Sequence, residues 1–430
     1  MTPFIRGMGL LLVLVALSGC NTIFNGATCK SPVGRNPPQS LVSVFVVPFE
    51  ANSSSAIAEK AAEVSARLLK VESIKASAGL NFTSFTLLNR GSFDRPCDAQ
   101  RVAEAVSEAQ HRDDLRSDSV VVWGIVAQRD DELISQLYST ILWHDADSGR
   151  VIFDVAATPA RTVQFTAQFP DLIMTFPQKL VGTSVNGEFL VDTEGRGIPR
   201  SQPIRGANAA DLPSRFRIGE RRNGWIELQV DDSKSIWLDA EPVKGMGDDR
   251  LFPETDYFAA FSAFVKGRGV GTEDPRTRTR LTKLLNDYEV QYGQAADDDS
   301  RTLLAMVHLM LAFHEFPVTN GPASDVSTQA RDHVYAAARL LPNNAEVANV
   351  AALASLGDCC SGRDASAGAA KVQAYFDKAL AADPADETVL RNLESWYALL
   401  VQQSVAPQGM TRDQVRARHV EILDRLRGGR

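Results

Sequence analysis

Hydrophobic and polar positions divide the chain into stretches of different texture. Leu41 to Phe49 (LVSVFVVPF) is a continuous apolar, β-branched run, the pattern of a strand buried on both faces. Ser53-Ser54-Ser55 supplies helix N-cap candidates, and Ile57, Ala61, Val64, Leu68 and Val71 follow at 4-3-4-3 spacing, which predicts an amphipathic helix. Phe82 to Leu88 predicts a second strand, and Asp98 a cap for a helix whose inner face is Val102, Ala105, Val106 and Ala109. Ser119 to Ala127 (SVVVWGIVA) repeats the buried-strand pattern, Leu133 to Trp143 adds a strand, and Asp147-Ser148-Gly149 signals a turn into Arg150–Phe153. The order β-α-β-α-β-β-β predicts a layered α/β domain with a mixed sheet. Residues 154 to 186 read as lacking clean alternation, and Phe169 to Val181 as a closing helix whose length Pro170 and Pro177 limit.

From Gly187 the texture changes to recurrent Gly, Arg and Pro with short β-like runs: Pro203-Ile204-Arg205, Arg217-Ile218-Gly219, Asn223 to Leu228 and Ser235 to Leu238. After Pro253 the pattern is helical to the end. Ser300 is a cap candidate for a helix running to about His314, and Thr411-Arg412-Asp413-Gln414 is a capping box opening the last helix. The fold class expected is therefore multidomain α+β: an α/β domain with a mixed sheet over 41–186, a small β-barrel over 187–245 and a C-terminal α-helical repeat array over 246–430.

At 430 residues the chain is too long for one core to be the prior. Hydrophobic residues make up 44% and charged residues 23%, so extended disorder is not expected. The net charge of -8 argues against a nucleic-acid partner. Ahead of the α/β region, Arg6 precedes the ten-residue apolar run Met8–Leu17 and small residues precede Cys20, the parts of a secretory signal. That run is about half of the ~20 residues a membrane span needs. Residues 1–19 are read as a signal peptide and 20–40, with Asn36-Pro37-Pro38-Gln39-Ser40, as a tether.

Leu17-Ser18-Gly19-Cys20 resembles the lipobox of bacterial lipoproteins. The resemblance implies lipid on the Cys20 thiol, and the absence of Asp after it, where Asn21 stands, favours the outer membrane, facing the periplasm. With Cys20 lipidated, Cys29, Cys97, Cys359 and Cys360 remain, an even number that fits disulfides in an exported protein. Cys29 and Cys97, both at the periphery of the α/β domain, are the expected pair. The strand with Val47-Pro48-Phe49, the Trp123-Gly124 strand and the hairpin Leu142 to Val151 resemble the N-terminal domain of the Tol translocation protein B and the curli-secretion lipoprotein set, whose members are assembly, scaffold or activator proteins. Arg205, Gly224-Trp225 and Trp237 resemble a bacterial Src-homology-3-type barrel, which implies that Trp225 and Trp237 present an aromatic face to partners.

Ala330, Val334, Ala337, Ala338 and Pro342, then Val372, Phe376, Ala379, Leu380 and Pro384, resemble the second helix of a tetratricopeptide repeat. The two prolines lie 42 residues apart, against about 34 in the standard repeat. The loop Gly357 to Ala367, holding Cys359 and Cys360, takes up the difference. First helices then follow each proline, with Ala348, Ala351 and Ala352 and with Leu390, Leu393 and Tyr397. In that register Asn349, Arg391 and Ser395 line a concave groove as partner-binding positions.

Chemistry-bearing motifs are sparse. His144, Asp145 and Asp147 sit beside a turn signal, and turn chemistry is the better reading. His308 and His314 are six apart and do not share a helix face. Gly267 to Thr272 lacks the lysine of a phosphate-binding loop and the last glycine of a dinucleotide fingerprint. Lys266, Arg268, Arg276, Arg278, Arg280 and Lys283 are read as a solvated linker rather than an anion site, and Cys359-Cys360 as a disulfide rather than a metal site. No catalytic residue, cofactor or metal set is assigned. The expected function is a lipid-anchored periplasmic adaptor or scaffold for envelope proteins or peptidoglycan. The alternative is a cell-wall enzyme activator or a secretion-channel accessory lipoprotein.

Overall fold

The computed structural model describes residues 40–52, 55–87, 99–112, 115–130, 132–145, 148–158, 161–181, 189–192, 206–207, 212–231, 234–240, 251–269, 275–294, 297–316, 321–322, 326–359 and 364–428. In chain order, β1 (Val42–Val46) and β2 (Glu50–Ala51) lead into α1 (Ala56–Ala76), and β3 (Thr83–Leu87) leads into α2 (Ala99–His111). Two hairpins follow: β4 (Asp118–Arg129) with β5 (Glu132–Leu142), and β6 (Arg150–Thr158) with β7 (Arg161–Gln168). Short strands β8 (Met174–Thr175), β9 (Lys179–Leu180), β10 (Phe189–Asp192) and β11 (Gly206–Ala207) precede a meander of β12 (Arg215–Arg222), β13 (Trp225–Gln229) and β14 (Ser235–Asp239). Next come α3 (Thr255–Gly269), α4 (Pro275–Tyr292) and α5 (Asp298–Glu315), then β15 (Gly321–Pro322). The chain continues through α6 (Thr328–Leu340), α7 (Ala345–Ala354), α8 (Ala365–Ala382), α9 (Glu387–Gln403) and α10 (Arg412–Gly428).

The fold is mixed α/β, built on a mixed sheet. β1 lies parallel between β3 and β4, with Val44 opposite both Phe85 and Val120, and every residue of β1 is buried. An unbroken apolar run fits such a strand because helices cover both of its faces. α1 buries Ala58, Ala61, Leu68 and Val71 on one side, while α2 packs Val102, Val106 and Ala109 on Phe45, Val47 and Val121 on the other. Gly124 of β4 has no room for a Cβ, because the Phe49 ring occupies that space.

The meander continues this sheet. β12 pairs antiparallel with β3, Phe216 opposite Phe85 with their rings stacked at 5.7 Å. The strand order is β11-β10-β14-β13-β12-β3-β1-β4-β5-β8, and no barrel closes among the described residues. Asn223 and Gly224, both at positive φ, make the two-residue turn between β12 and β13. Asn-Gly suits that turn because both central residues must adopt φ above zero.

The helix expected over Phe169–Val181 is not present. The segment is an extended strap along β5: Phe176 N donates to Leu137 O at 2.9 Å and Val181 N to Leu133 O at 2.8 Å. Pro170 and Pro177 withhold the donors a helix needs, and the strap satisfies a sheet edge that would otherwise be open. The lack of alternation expected after residue 154 is also corrected. In β7, Val163, Phe165 and Ala167 are buried between exposed or half-buried Thr162, Gln164, Thr166 and Gln168.

Three helix hairpins close the chain, α5–α6, α7–α8 and α9–α10. Their caps are read locally. Asp297, rather than Ser300, caps α5 by accepting from Ser300 N at 2.8 Å. Ser327, Asn344 and Asp386 cap α6, α7 and α9. The expected capping box is reciprocal: Gln414 N donates to Thr411 Oγ1 at 3.2 Å and Thr411 N to Gln414 Oε1 at 2.7 Å. One hydrophobic cluster runs from Val42 of β1 through the meander and the β6–β7 hairpin to Ile422 of α10. It therefore joins parts of all three expected domains, whose boundaries near 186 and 245 lie outside the described residues, as do the signal peptide and the tether up to residue 39.

Candidate functional site

The seam between the β6–β7 hairpin and the helices α7 and α9 is where the expected partner-binding positions fall. Asn392 of α9 reads both main-chain groups of one residue of β7. Thr166 N donates to Asn392 Oδ1 at 2.9 Å, and Asn392 Nδ2 donates to Thr166 O at 2.7 Å. The same Nδ2 donates to Asn349 Oδ1 of α7 at 3.0 Å, and Gln403 Nε2 at the end of α9 donates to Ala156 O of β6 at 3.0 Å. Asn349 and Asn392 are both buried. Behind them, Trp396 Nε1 donates to Gln373 Oε1 and Gln373 Nε2 to the Tyr397 hydroxyl, both at 2.9 Å, which fixes α9 against α8.

The expected groove is thus filled by the chain's own hairpin. Burial of Val151, Phe153, Val163 and Phe165 contributes on the order of 6–12 kcal/mol at about 1.5–3 kcal/mol per side chain. The hairpin is part of the hydrophobic interior. The register is one residue off the expected one. Spacing from Pro342 and Pro384 pairs Asn349 with Arg391, but Asn392 faces Asn349. One residue turns a helical side chain by about 100°, so Arg391 points outward, exposed and ion-paired with Glu387 one turn earlier. Ser395 is half-buried. The sequence signal that was available is the asparagine on each first helix, close to the same distance from its proline.

Trp225 is 1% exposed and Trp237 8%. Both indoles belong to the interior and present no face to solvent, and Trp225 Nε1 has no acceptor among the described residues. Cys20, Cys29, Cys97 and Cys360 lie outside the described residues. Cys359 is disulfide-bonded, to a partner outside them. His144 and Asp145 stand in a turn, closed by Ser148 N on Asp145 O at 3.0 Å, while His144 N donates to Asp118 Oδ1 at 2.9 Å. The basic run is dispersed over α3 and α4. Lys266 lies over the Phe82 ring, Arg278 pairs with Glu315 at 3.0 Å, and Lys283 pairs with Asp287. Arg268 is buried, donating to Phe313 O at 2.8 Å and Arg150 O at 2.9 Å between the rings of Phe264 and Phe313. Burial lowers its pKa to about 10.

At the N-terminal ends of α7 and α9, Glu346 lies near Asp386 and Asp171. Burial, and then those two carboxylates, raise the Glu346 pKa to about 7, against an opposing hydrogen bond from the Asp171 backbone. Among the described residues no group of three or more His, Cys, Asp or Glu side chains is arranged to hold a metal ion. No family model, curated protein or solved structure matches this chain.

Two predictions follow from this seam. Asn392→Ala leaves the N–H and C=O of half-buried Thr166 without their side-chain partner and is expected to lower unfolding free energy by about 1–3 kcal/mol. Arg391→Ala is expected to stay within about 0.5 kcal/mol of wild type, because an exposed pair one turn apart contributes little. Urea denaturation of both variants checks the register, and the reverse ranking contradicts it. The second concerns pH. The folded state holds the Glu346 proton more tightly than the unfolded chain does. The stabilising contribution is full below the unfolded carboxyl pKa of about 4.3 and is lost as pH rises through the folded value of about 7. Glu346→Gln, which stays neutral, is expected to gain roughly 2–3 kcal/mol on wild type between pH 4.5 and 7.5, at 1.36 kcal/mol per pKa unit. Denaturation midpoints across that range measure it.

Proposed function

We propose that the chain is a lipid-anchored adaptor of the bacterial envelope. Acyl chains on Cys20 hold it at the outer membrane, with the folded part in the periplasm. The observation that carries this reading is Leu17-Ser18-Gly19-Cys20 at the end of a short apolar run behind Arg6. Each buried CH2 contributes about 0.8 kcal/mol, so several chains on one residue anchor a protein firmly. The three helix hairpins support an adaptor role, because their resemblance to tetratricopeptide repeats, with Ala337, Phe376 and Ala379 buried at the helix contacts, implies a protein-binding array. The meander around Trp225 is the Src-homology-3-like element of the same reading. Its strands are spliced onto the α/β sheet, which resembles the Tol translocation protein B set.

With the Asn349 side of α7 and α9 closed by the hairpin, partner contact is assigned to the outward flank that carries Arg391 and Ser395. The partners are envelope proteins or peptidoglycan. Anchoring is expected to depend on one thiol. Cys20→Ala should release the protein from membranes or leave an unprocessed precursor, read by membrane fractionation and intact mass. A Cys20→Ala protein that fractionates with the outer membrane at wild-type level removes the lipid-anchor reading.

A further inference from the structure

Two tyrosines meet on the face shared by α6 and α8, the second helices of the first two hairpins. Tyr335 of α6 and Tyr375 of α8 stack with 6° between their planes and centroids 5.8 Å apart. Lys371 Nζ stands over the Tyr335 ring at 4.3 Å and Lys378 Nζ over the Tyr375 ring at 5.3 Å. Arg339, Lys371 and Lys378 are exposed, and both rings are half-buried. We propose that this face of α6 and α8 docks an acidic, extended segment of a partner protein.

The face is basic in a chain of net charge -8. Among the described residues, the charged groups that act on Tyr375 are Lys371 and Arg339, both cationic. Carboxylates of the same two helices are engaged elsewhere. Asp377 accepts from Gln373 Nε2 at 2.9 Å and acts on Tyr397 of α9 and Arg418 of α10, and Asp332 acts on His333. Arg339 and Lys378 have no ion-pair partner among the described residues. The Tyr335 hydroxyl is tied to Ser355 Oγ at 2.8 Å, whereas the Tyr375 hydroxyl bonds no group among the described residues. The groups left for a ligand are a guanidinium, an ammonium and a phenol, all donors of the kind a carboxylate accepts from.

Spacing and charge select the occupant. Lys371 and Lys378 are seven residues apart on α8, which sets them about 10.5 Å apart along the helix. In an extended polyproline II chain, side chains three residues apart share one side at about 9.3 Å, so carboxylates at every third position meet both lysines. A sugar ring would need an open aromatic face, but each tyrosine has the other stacked on it and a lysine over it. On neighbouring α10 the arginines are paired, Arg416 with Asp413, Arg418 with Glu421 and Arg427 with Asp424. The basic charge is thus a stripe that a peptide can cover, not a plane suited to a membrane. The proposal goes beyond the adaptor reading and does not use the lipid anchor, so either can fail alone.

The test uses the full-length protein in detergent and a fluorescein-labelled peptide with glutamate at every third position among serines. A control peptide carries glutamine in place of glutamate. Fluorescence anisotropy is expected to show binding of the glutamate peptide that weakens with added salt, and no binding of the control. Arg339→Gln and Lys378→Gln are each expected to weaken binding about threefold or more, while Arg427→Gln, which removes the same charge from α10, leaves it unchanged. Carbodiimide coupling of the peptide to the wild type, read by mass spectrometry, keeps the test independent of variant folding: cross-links should fall on Lys371 and Lys378. Absence of peptide binding, equal binding of the glutamine peptide, cross-links confined to other lysines, or an equal loss with Arg427→Gln overturns the proposal. Binding to phosphatidylglycerol vesicles through Arg339 and Lys378 without peptide binding assigns the face to a membrane and overturns it as well.

Discussion

Aromatic contacts made by α3 hold the sheet and the helices in one interior. Tyr257 and Phe258 meet Phe176 of the β5 strap, Phe261 meets Trp143, and Phe264 meets Phe169. Phe169 then meets Phe313 of α5, which passes the contact to Phe316 and on to Phe153 of the β6–β7 hairpin. Arg268 closes the same spine with two carbonyls, one from α5 and one from β6. Fully buried aromatic rings are the largest single contributors to such an interior. The same spine seats the β6–β7 hairpin whose Thr166 Asn392 binds.

The consequence for function is a division of surfaces. A helical array whose inner face is sealed by its own strands has no open groove there. Main-chain recognition by Asn392 is spent on Thr166. Under the adaptor proposal, partners would meet the outward side of the helices. At the C-terminal end that side is strongly polar, since α10 buries only Val415 and Ile422.

Local signals were legible in the sequence wherever the cause was local. The buried run of β1 and the Thr411–Gln414 box appear where the residues place them, and the spacing of α1 holds at Ala61, Leu68 and Val71, while Ile57 at its start is exposed and Val64 half-buried. The strap over β5 is concealed by Pro170 and Pro177, and β7 by the polar Thr162, Gln164, Thr166 and Gln168 between its buried residues, although its partner β6 is the neighbouring strand. The splice of β12 onto β3 is a tertiary pairing that no local pattern announces. Asn392 was missed by a single position, because a repeat spacing fixes helices but not the rotation of each helix.

Native-state hydrogen exchange on Phe264→Ala tests the shared interior most directly. Removing a ring at the centre of the spine typically costs about 3–5 kcal/mol. If sheet and helices share one interior, the most protected amides of β1 and β4 and those of α7 and α9 lose protection by the same free energy. A loss confined to the sheet, with α7 and α9 protected as in wild type, would contradict the account and separate the chain into independently stable parts.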